Sequence, residues 1–368
     1  MISTNFNLLT LLTSINTDLR ADAERSLRVP QYGPYHNEGP FMDSHLELIV
    51  QALGAVIIGE FDSRVPLGVR DCMYSAAKAN TSHLGMYTML HDLDKANCLT
   101  LVSNSGEKQA VSWEEWKHLL TTTDYGNLAL NGDGEALVRF CLGLNLKQIS
   151  YYQDLPEGKR THGKVTADRL RGRADIPEIV VMAIETHEVA FQFGSKGGIN
   201  IPLFEKNFAS WTPEQIGFML LVNYGDQMGS RDSNGQPDIS DFVLLAKTFL
   251  GYQNFNRLTV LLESAEGLDK GKVTKAIDTL RKATDAFQAE DVEAAYRRII
   301  TECAIPAYDE FKLRLALAPI AAKHSVLADL MEPVITALVS AGQIPPELGR
   351  QLGPANKDIR TAIAGCFK

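Results

Sequence analysis

The stretch Leu90-His91-Asp92-Leu93-Asp94-Lys95 ends an apolar run that begins at Leu84. A histidine and an aspartate stand side by side at the end of a predicted helix. Adjacent helical residues point about 100° apart, yet both can reach one metal ion seated over the helix end. Imidazole suits Zn, Cu, Fe and Ni, whereas carboxylate suits Mg, Ca and Mn, so a mixed set fits a catalytic divalent transition metal. The dipeptide is common, and its weight comes from the other residues of the chain.

Working outward, residues 29–41 contain three prolines and two glycines, which predicts a loop. Met42 to Ile58 carries Leu46, Ile49, Val50, Leu53, Val56 and Ile57 at helical spacing. Residues 1–28 read as one amphipathic helix, and Cys72 to Leu90 as another. Residues 97–161 are less regular. Cys98 to Val102 with Gln109 to Ser112 reads as a small hairpin. Trp113 to Leu120 reads as a helix with a capping box from Ser112 and Glu115, and Glu135 to Leu144 as a further helix.

Helices are predicted at His162 to Arg171 and at Glu178 to Val189. Residues 194–211 are expected to form a Gly-rich loop. Helices follow at Glu214 to Met228, started by Thr212-Pro-Glu-Gln215, and at Ile239 to Phe249, capped by Asp238. Beyond Gly251, Val273 to Ile300, Ala307 to Leu317 and His324 to Val339 are long Ala- and Leu-rich helical patterns. The expected architecture is all-α: a helical bundle over 1–255 with an irregular insert at about 97–161, then a helical C-terminal region, 256–368.

Composition bounds the function. At 368 residues, 45% hydrophobic and 22% charged, the chain has the make-up of a globular protein. A net charge of −9 and a pI of about 5.5 argue against a protein that coats nucleic acid. A small phosphorylated substrate or a nucleic-acid end in a local basic pocket is not excluded. Five widely spaced cysteines (Cys72, Cys98, Cys141, Cys303 and Cys366) without a Cys-x-x-Cys pair read as reduced thiols of a cytoplasmic protein. No run approaches a membrane span, and the N-terminus lacks the basic region of a signal peptide.

Six titratable residues on predicted helices stand out, most of them beside apolar neighbours, a costly position unless they are paired or metal-bound. They are His45, His91, Asp92, His162, His187 and Asp226, in the order H…HD…H…H…D. This order resembles the HD superfamily of metal-dependent phosphohydrolases. The local context is similar to the HD domain that accompanies tRNA nucleotidyltransferases and bacterial poly(A) polymerases. Pro34-Tyr-His-Asn-Glu-Gly-Pro-Phe-Met-Asp-Ser-His45 looks like that family's stretch ending in its first metal histidine. Met89-Leu-His-Asp-Leu-Asp-Lys95 is similar to its Leu-His-Asp-Ile-Gly-Lys. Thr161-His-Gly-Lys-Val-Thr-Ala167, Glu185-Thr-His187 and Leu221-Val-Asn-Tyr-Gly-Asp226 resemble its later motifs. Asp94 stands where the family usually has Gly, and residues 97–161 exceed its usual connection.

The resemblance implies that His45, His91, Asp92 and Asp226 hold one metal. Asp92 bridges to a second held by His162 and His187, with one or two ions of Mn, Fe, Ni, Co or Mg. Asp92 and Lys95 are then the expected catalytic residues. Lys95, Lys164, Arg169 and His36 are the expected substrate contacts, drawn partly from the basic cluster around His162. His36 reads equally as a turn-stabilising residue. The implied reaction is hydrolysis of a nucleotide or nucleic-acid-end phosphoester, of the 2′,3′-cyclic phosphodiesterase, nucleotidase or dNTP hydrolase type. A cyclic-dinucleotide phosphodiesterase, a di-iron oxygenase on a small substrate and a non-catalytic HD binding module remain alternatives. The C-terminal helices read as a packing or homo-oligomerisation layer.

Overall fold

The computed structural model describes residues 6–34, 36–156, 158–195 and 199–264, together with 270, 271 and 274. The expected helices beyond 274 and the 256–368 region they define lie outside the described residues.

The N-terminal amphipathic stretch is two helices, α1 (Leu8–Ser14) and α2 (Thr17–Ser26), because Ile15 turns to extended backbone and Asn16 restarts the chain. The loop that follows is pinned at its neck, where Gln31 N–H donates to Pro40 O at 2.7 Å and Met42 N–H to Val29 O at 3.0 Å. Then α3 (Met42–Ile57) buries His45, Leu46, Ile49, Leu53 and Val56, the apolar positions at helical spacing. The next expected helix is also two, α4 (Leu67–Ala79) and α5 (Thr81–Leu90). They part at Asn80, whose side-chain amide donates back to Ala76 O, a local bond that competes with helix continuation.

The expected irregular insert is ordered, which corrects the all-α reading. After a 3-10 turn at Lys95–Asn97, β1 (Leu99–Ser103) and β2 (Lys108–Ala110) form the expected hairpin. Three helices follow, α6 (Trp113–Leu120), α7 (Asp124–Leu130) and α8 (Gly134–Gly143). The capping box of Ser112 and Glu115 is present on α6. Then β3 (Leu146–Leu155) and β4 (Gly158–Thr161) complete an antiparallel sheet in the order β2-β1-β3-β4. β3 and β4 escape sequence reading for a physical reason. β4 is a short polar edge, Gly-Lys-Arg-Thr. β3 pairs with residues some 50 positions away, such as Thr100 opposite Ser150, and its alternation is weak.

β4 runs straight into α9 (His162–Leu170), and α10 (Glu178–Thr186), α11 (Ala190–Gly194), α12 (Ile201–Phe208), α13 (Pro213–Gly229) and α14 (Ser240–Ser264) follow. α12 lies within the expected Gly-rich loop. Asn200 caps it and Pro202 sits in its first turn. α13 is the core helix, with every residue from Ile216 to Gln227 buried. It packs on α3 and α10, and α10 packs on α9 and α5. One compact unit comprises residues up to Arg64, Arg70–Gln192 and Trp211–Phe242. The other comprises Val65–Val69, the described residues of Phe193–Ser210 and those from Val243 on, and Phe204 packs there on Phe208 and Phe249. No described helix is long and apolar enough to cross a membrane.

Truncating Phe218, fully buried on α13, is expected to cost about 3–5 kcal/mol. Chemical denaturation of Phe218→Ala measures this, and a loss below about 1 kcal/mol would contradict α13 as the core helix.

Candidate metal centre

All six expected ligands are buried and lie in the first unit. α3 carries His45 and α13 carries Asp226, and their packing brings His45 Nε2 to 3.3 Å from Asp226 Oδ1. His91 and His187 are the residues that close α5 and α10. A helix C-terminus carries partial negative charge and favours a cation beside it. His162 opens α9, delivered by β4.

Close approach depends on two glycines. A Cβ at Gly163 would lie 2.6 Å from His187 Cε1, and one at Gly229 would lie 2.8 Å from His45 Cε1. Any side chain there would push a ligand histidine out of place.

Asp92 is the hinge of the arrangement. Its Oδ2 is 3.1 Å from His91 Nε2, 3.8 Å from His45 Nε2 and 2.9 Å from Lys95 Nζ. Its Oδ1 is 2.8 Å from His162 Nε2 and 3.8 Å from His187 Nε2. One carboxylate therefore faces two donor groups, His45-His91-Asp92 and Asp92-His162-His187, each of which could hold a metal ion.

The tautomers follow from the outer hydrogen bonds. His91 Nδ1 lies 3.1 Å from Thr88 O, His162 Nδ1 3.2 Å from Tyr151 O and His187 Nδ1 2.7 Å from Ile184 O. A carbonyl only accepts, so each Nδ1 carries the proton and each Nε2 presents a lone pair inward. His162 Nε2 and His187 Nε2 face each other at 3.1 Å. His91 Nε2 and both oxygens of Asp92 are buried without a hydrogen-bond partner. Converging lone pairs with backbone-fixed tautomers suit a group that could hold a cation.

The electrostatics agree. Burial alone would raise the Asp92 carboxyl, but the charges beside it, His91 and Lys95 above all, and the close His162 ring hold it well below the usual range. Burial works against the Asp226 carboxylate too, yet the His45 hydrogen bond and the surrounding histidines hold its pKa down to about 2. Burial lowers His187. His91 is raised above its ordinary value, because Asp92 and Asp226 outweigh its burial.

The other expected site residues are divided. Lys95 is buried at the centre, its Nζ also 4.9 Å over the Tyr151 ring. Asp94 points away from it. Its side chain accepts from Asn97 Nδ2 and Arg169 Nη1, and its backbone N–H donates to Thr166 Oγ1. Arg169 is ion-paired with Asp94 and Asp22. Lys164 is exposed on α9, two residues and so about 200° round the helix from His162. Arg160, Arg171 and Arg173 pair with carboxylates at the surface, and Lys159 lies on the Tyr152 ring. Of the expected substrate contacts, only Lys95 touches an expected ligand carboxylate among the described residues.

His36 binds Glu38, whose role sequence reading missed. The Glu38 side chain is fully buried. Its Oε1 is 3.1 Å from His36 Nδ1 and 4.0 Å from His45 Nδ1, and its Oε2 accepts from the Arg231 backbone N–H at 3.1 Å. His45, alone among the four expected ligand histidines, has no carbonyl on its Nδ1, which is buried without a hydrogen-bond partner and has Glu38 4.0 Å away. Two tyrosines also escaped notice. Tyr151 gives His162 its carbonyl, holds Lys95 on its ring and donates its hydroxyl to Pro30 O. Tyr87 stacks on His91 at 4.9 Å. The available signal was Glu38's position seven residues before a ligand histidine. Nothing local marks the tyrosines. No protein-family model, curated protein or solved structure matches the chain.

Glu38→Gln keeps the shape and removes the charge behind His45. It is expected to weaken Mn(II) affinity about 10–100-fold, the usual cost of losing such a partner, read by metal titration with the thermal melt as folding control. An unchanged affinity would show that Glu38 does not support His45. Metal must displace the proton that the raised His91 pKa retains, so affinity should fall as pH drops, by about tenfold per unit for one displaced proton. A flat profile between pH 8 and 6 would contradict His91 as a ligand.

Proposed function

We propose that this chain is an HD-type, metal-dependent phosphohydrolase acting on a nucleotide or nucleic-acid-end phosphoester. The observation that carries the reading is Asp92, with one oxygen turned to His45 and His91 and the other to His162 and His187. A bridging carboxylate between two nitrogen-rich groups is the arrangement that two-metal phosphoester chemistry uses. The donor set fits metals comfortable with imidazole, so Mn, Fe, Co or Ni suits it better than Mg. When bound, such metals supply an activated water and a Lewis acid for phosphoryl oxygens.

The chain's own residues do the rest. His45, His91, His162 and His187 are held by tautomer and packing before any substrate arrives. Lys95 is the buried cation at the centre, raised above the ordinary lysine value because the Asp92 and Asp226 carboxylates outweigh its burial. It stays charged and is placed to neutralise a phosphoryl oxygen as charge develops. The Tyr151 ring keeps its ammonium from swinging away. The carbonyls of Thr88, Tyr151 and Ile184 keep three of the rings in register, and Glu38 places its charge behind the fourth, His45.

One observation favours a second reading, a di-iron oxygenase acting on a small substrate. The arginines around His162 are engaged in surface ion pairs, so the centre has less positive charge than a polyanion would favour. Oxygen dependence separates the two. Phosphate release from a panel of nucleotides and 2′,3′-cyclic phosphates should proceed under strict anaerobiosis with Mn or Co as the only metal. Turnover that demands oxygen and iron, with no phosphate released, would replace the hydrolase by the oxygenase. Asp92→Ala should abolish turnover and shared metal binding. Lys95→Ala should lower kcat about 100-fold or more, as loss of a transition-state donor does, with metal content unchanged. Loss of the metal in that variant would make Lys95 a structural part of the site.

A further inference from the structure

Near the candidate metal centre, residues 31–34 and 36–40, with α8 and Lys147 of the insert, line an open cavity of about 840 Å³. The centre does not require it, since none of the six ligands lines it. His36 connects the two. It forms part of the cavity wall, and its Nδ1 is bonded to Glu38, whose other neighbour is His45.

The wall chemistry is specific. Tyr32, Pro34, Pro40 and Val138 give flat or aliphatic faces, and His36 adds an imidazole ring. Its polar members are largely engaged. Glu135 is ion-paired with Arg139, and the Asn37 amide donates to Pro34 O and Arg231 O. Lys147, exposed on β3, is the cation of the wall. A polyol or free sugar would find few open hydrogen-bonding groups here, whereas a planar heteroaromatic ring finds stacking surfaces. The volume is far more than a phosphate group needs. The wall is also held in place, since Ile149 N–H of β3 donates to Tyr32 O at 2.8 Å and Tyr151 hydroxyl to Pro30 O.

We infer that this cavity is the subsite for the alcohol portion of the phosphoester, that this portion is a nucleoside with its base in the cavity and its phosphate towards Lys95 and Asp92, and that the insert exists in part to supply the α8 wall. The inference rests on the hydrolase reading for the phosphate and on the cavity alone for the base. The insert then acts as a specificity element: it delivers His162 to the metal centre through β4 and grips the leaving group through α8.

The test uses the full-length, Mn-loaded protein and separates the two readings. Adenosine, with ribose as comparison, is titrated calorimetrically into the wild type and into Val138→Trp and Val138→Lys. Val138 is half-exposed on α8, so two unlike substitutions guard against a folding artefact. Leu142→Trp, on an exposed stretch of the same helix that does not line the cavity, is the control. Adenosine but not ribose should bind. Both Val138 variants should weaken it about tenfold or more, the scale of one lost base-stacking contact, and Leu142→Trp should not. In turnover, Val138→Trp should raise KM for a nucleotide by a similar factor, and by much less for glycerol phosphate. Equal binding of adenosine and ribose, no adenosine binding, or indifference to both Val138 variants would overturn the cavity assignment even if nucleotides are hydrolysed. Adenosine binding that responds as expected, in a protein that hydrolyses no phosphoester, would uphold the nucleoside site and remove the hydrolase.

Discussion

A carboxylate with no proton, enclosed by imidazoles that turn lone pairs towards it, is the constraint on which the rest of this structure depends. Asp92 cannot be buried among His45, His91, His162 and His187 at little cost unless positive charge joins them. Lys95 meets part of that demand at 2.9 Å. A divalent metal would meet it more fully, because it accepts from every inward nitrogen at once. The helix ends at His91 and His187, the glycines at 163 and 229 and the backbone carbonyls behind three of the rings all serve the same inward convergence.

The insert serves this constraint as well as decorating the fold. β3 and β4 set the start of α9, and Tyr151 on β3 holds His162 by its carbonyl and Lys95 by its ring. The Asp94 side chain, an apparent extra carboxylate at the centre, belongs instead to a surface-bound chain of charges through Arg169 to Asp22. That pairing keeps a further negative charge from competing for the cation and ties the 3-10 turn after Asp92 to α9 and α2. The site is thus rigid at Asp92 from both sides, with Lys95 held one helical turn beyond it.

Much of this was legible in the chain itself. The helical spacing from Met42 to Ile58, the capping boxes at Ser112 and Thr212 and the apolar run into His91 are local signals, because helices are made of contacts within a few residues. Most of the six buried His and Asp positions were legible for the same reason, a titratable group set among apolar helical residues; His162, in a polar stretch, was legible only through the order of the set. Two breaks, at Ile15 and Asn80, and the short α12 were not. They turn on single residues whose backbone preference a periodic reading averages away.

What only the tertiary structure decided is which atoms meet. A four-stranded sheet replaced an irregular insert because its pairing spans long sequence separations, for which short polar strands leave little local trace. The sequence placed a basic cluster beside His162, but its four arginines pair with carboxylates, Arg169 and Arg173 with Asp22 and Asp18 far off in the chain, and Lys164 sits on the far side of α9. The sequence also held Glu38 and Tyr151 in plain view without assigning either a partner, because a hydrogen bond between residues far apart in the chain has no periodicity. Residue type and spacing thus determined which groups are available for chemistry. Packing of α3, α5, α9, α10 and α13 determined that the two oxygens of Asp92 face different histidine pairs, since direction, unlike burial, is set by elements that the chain brings together from 181 residues apart, as with His45 and Asp226.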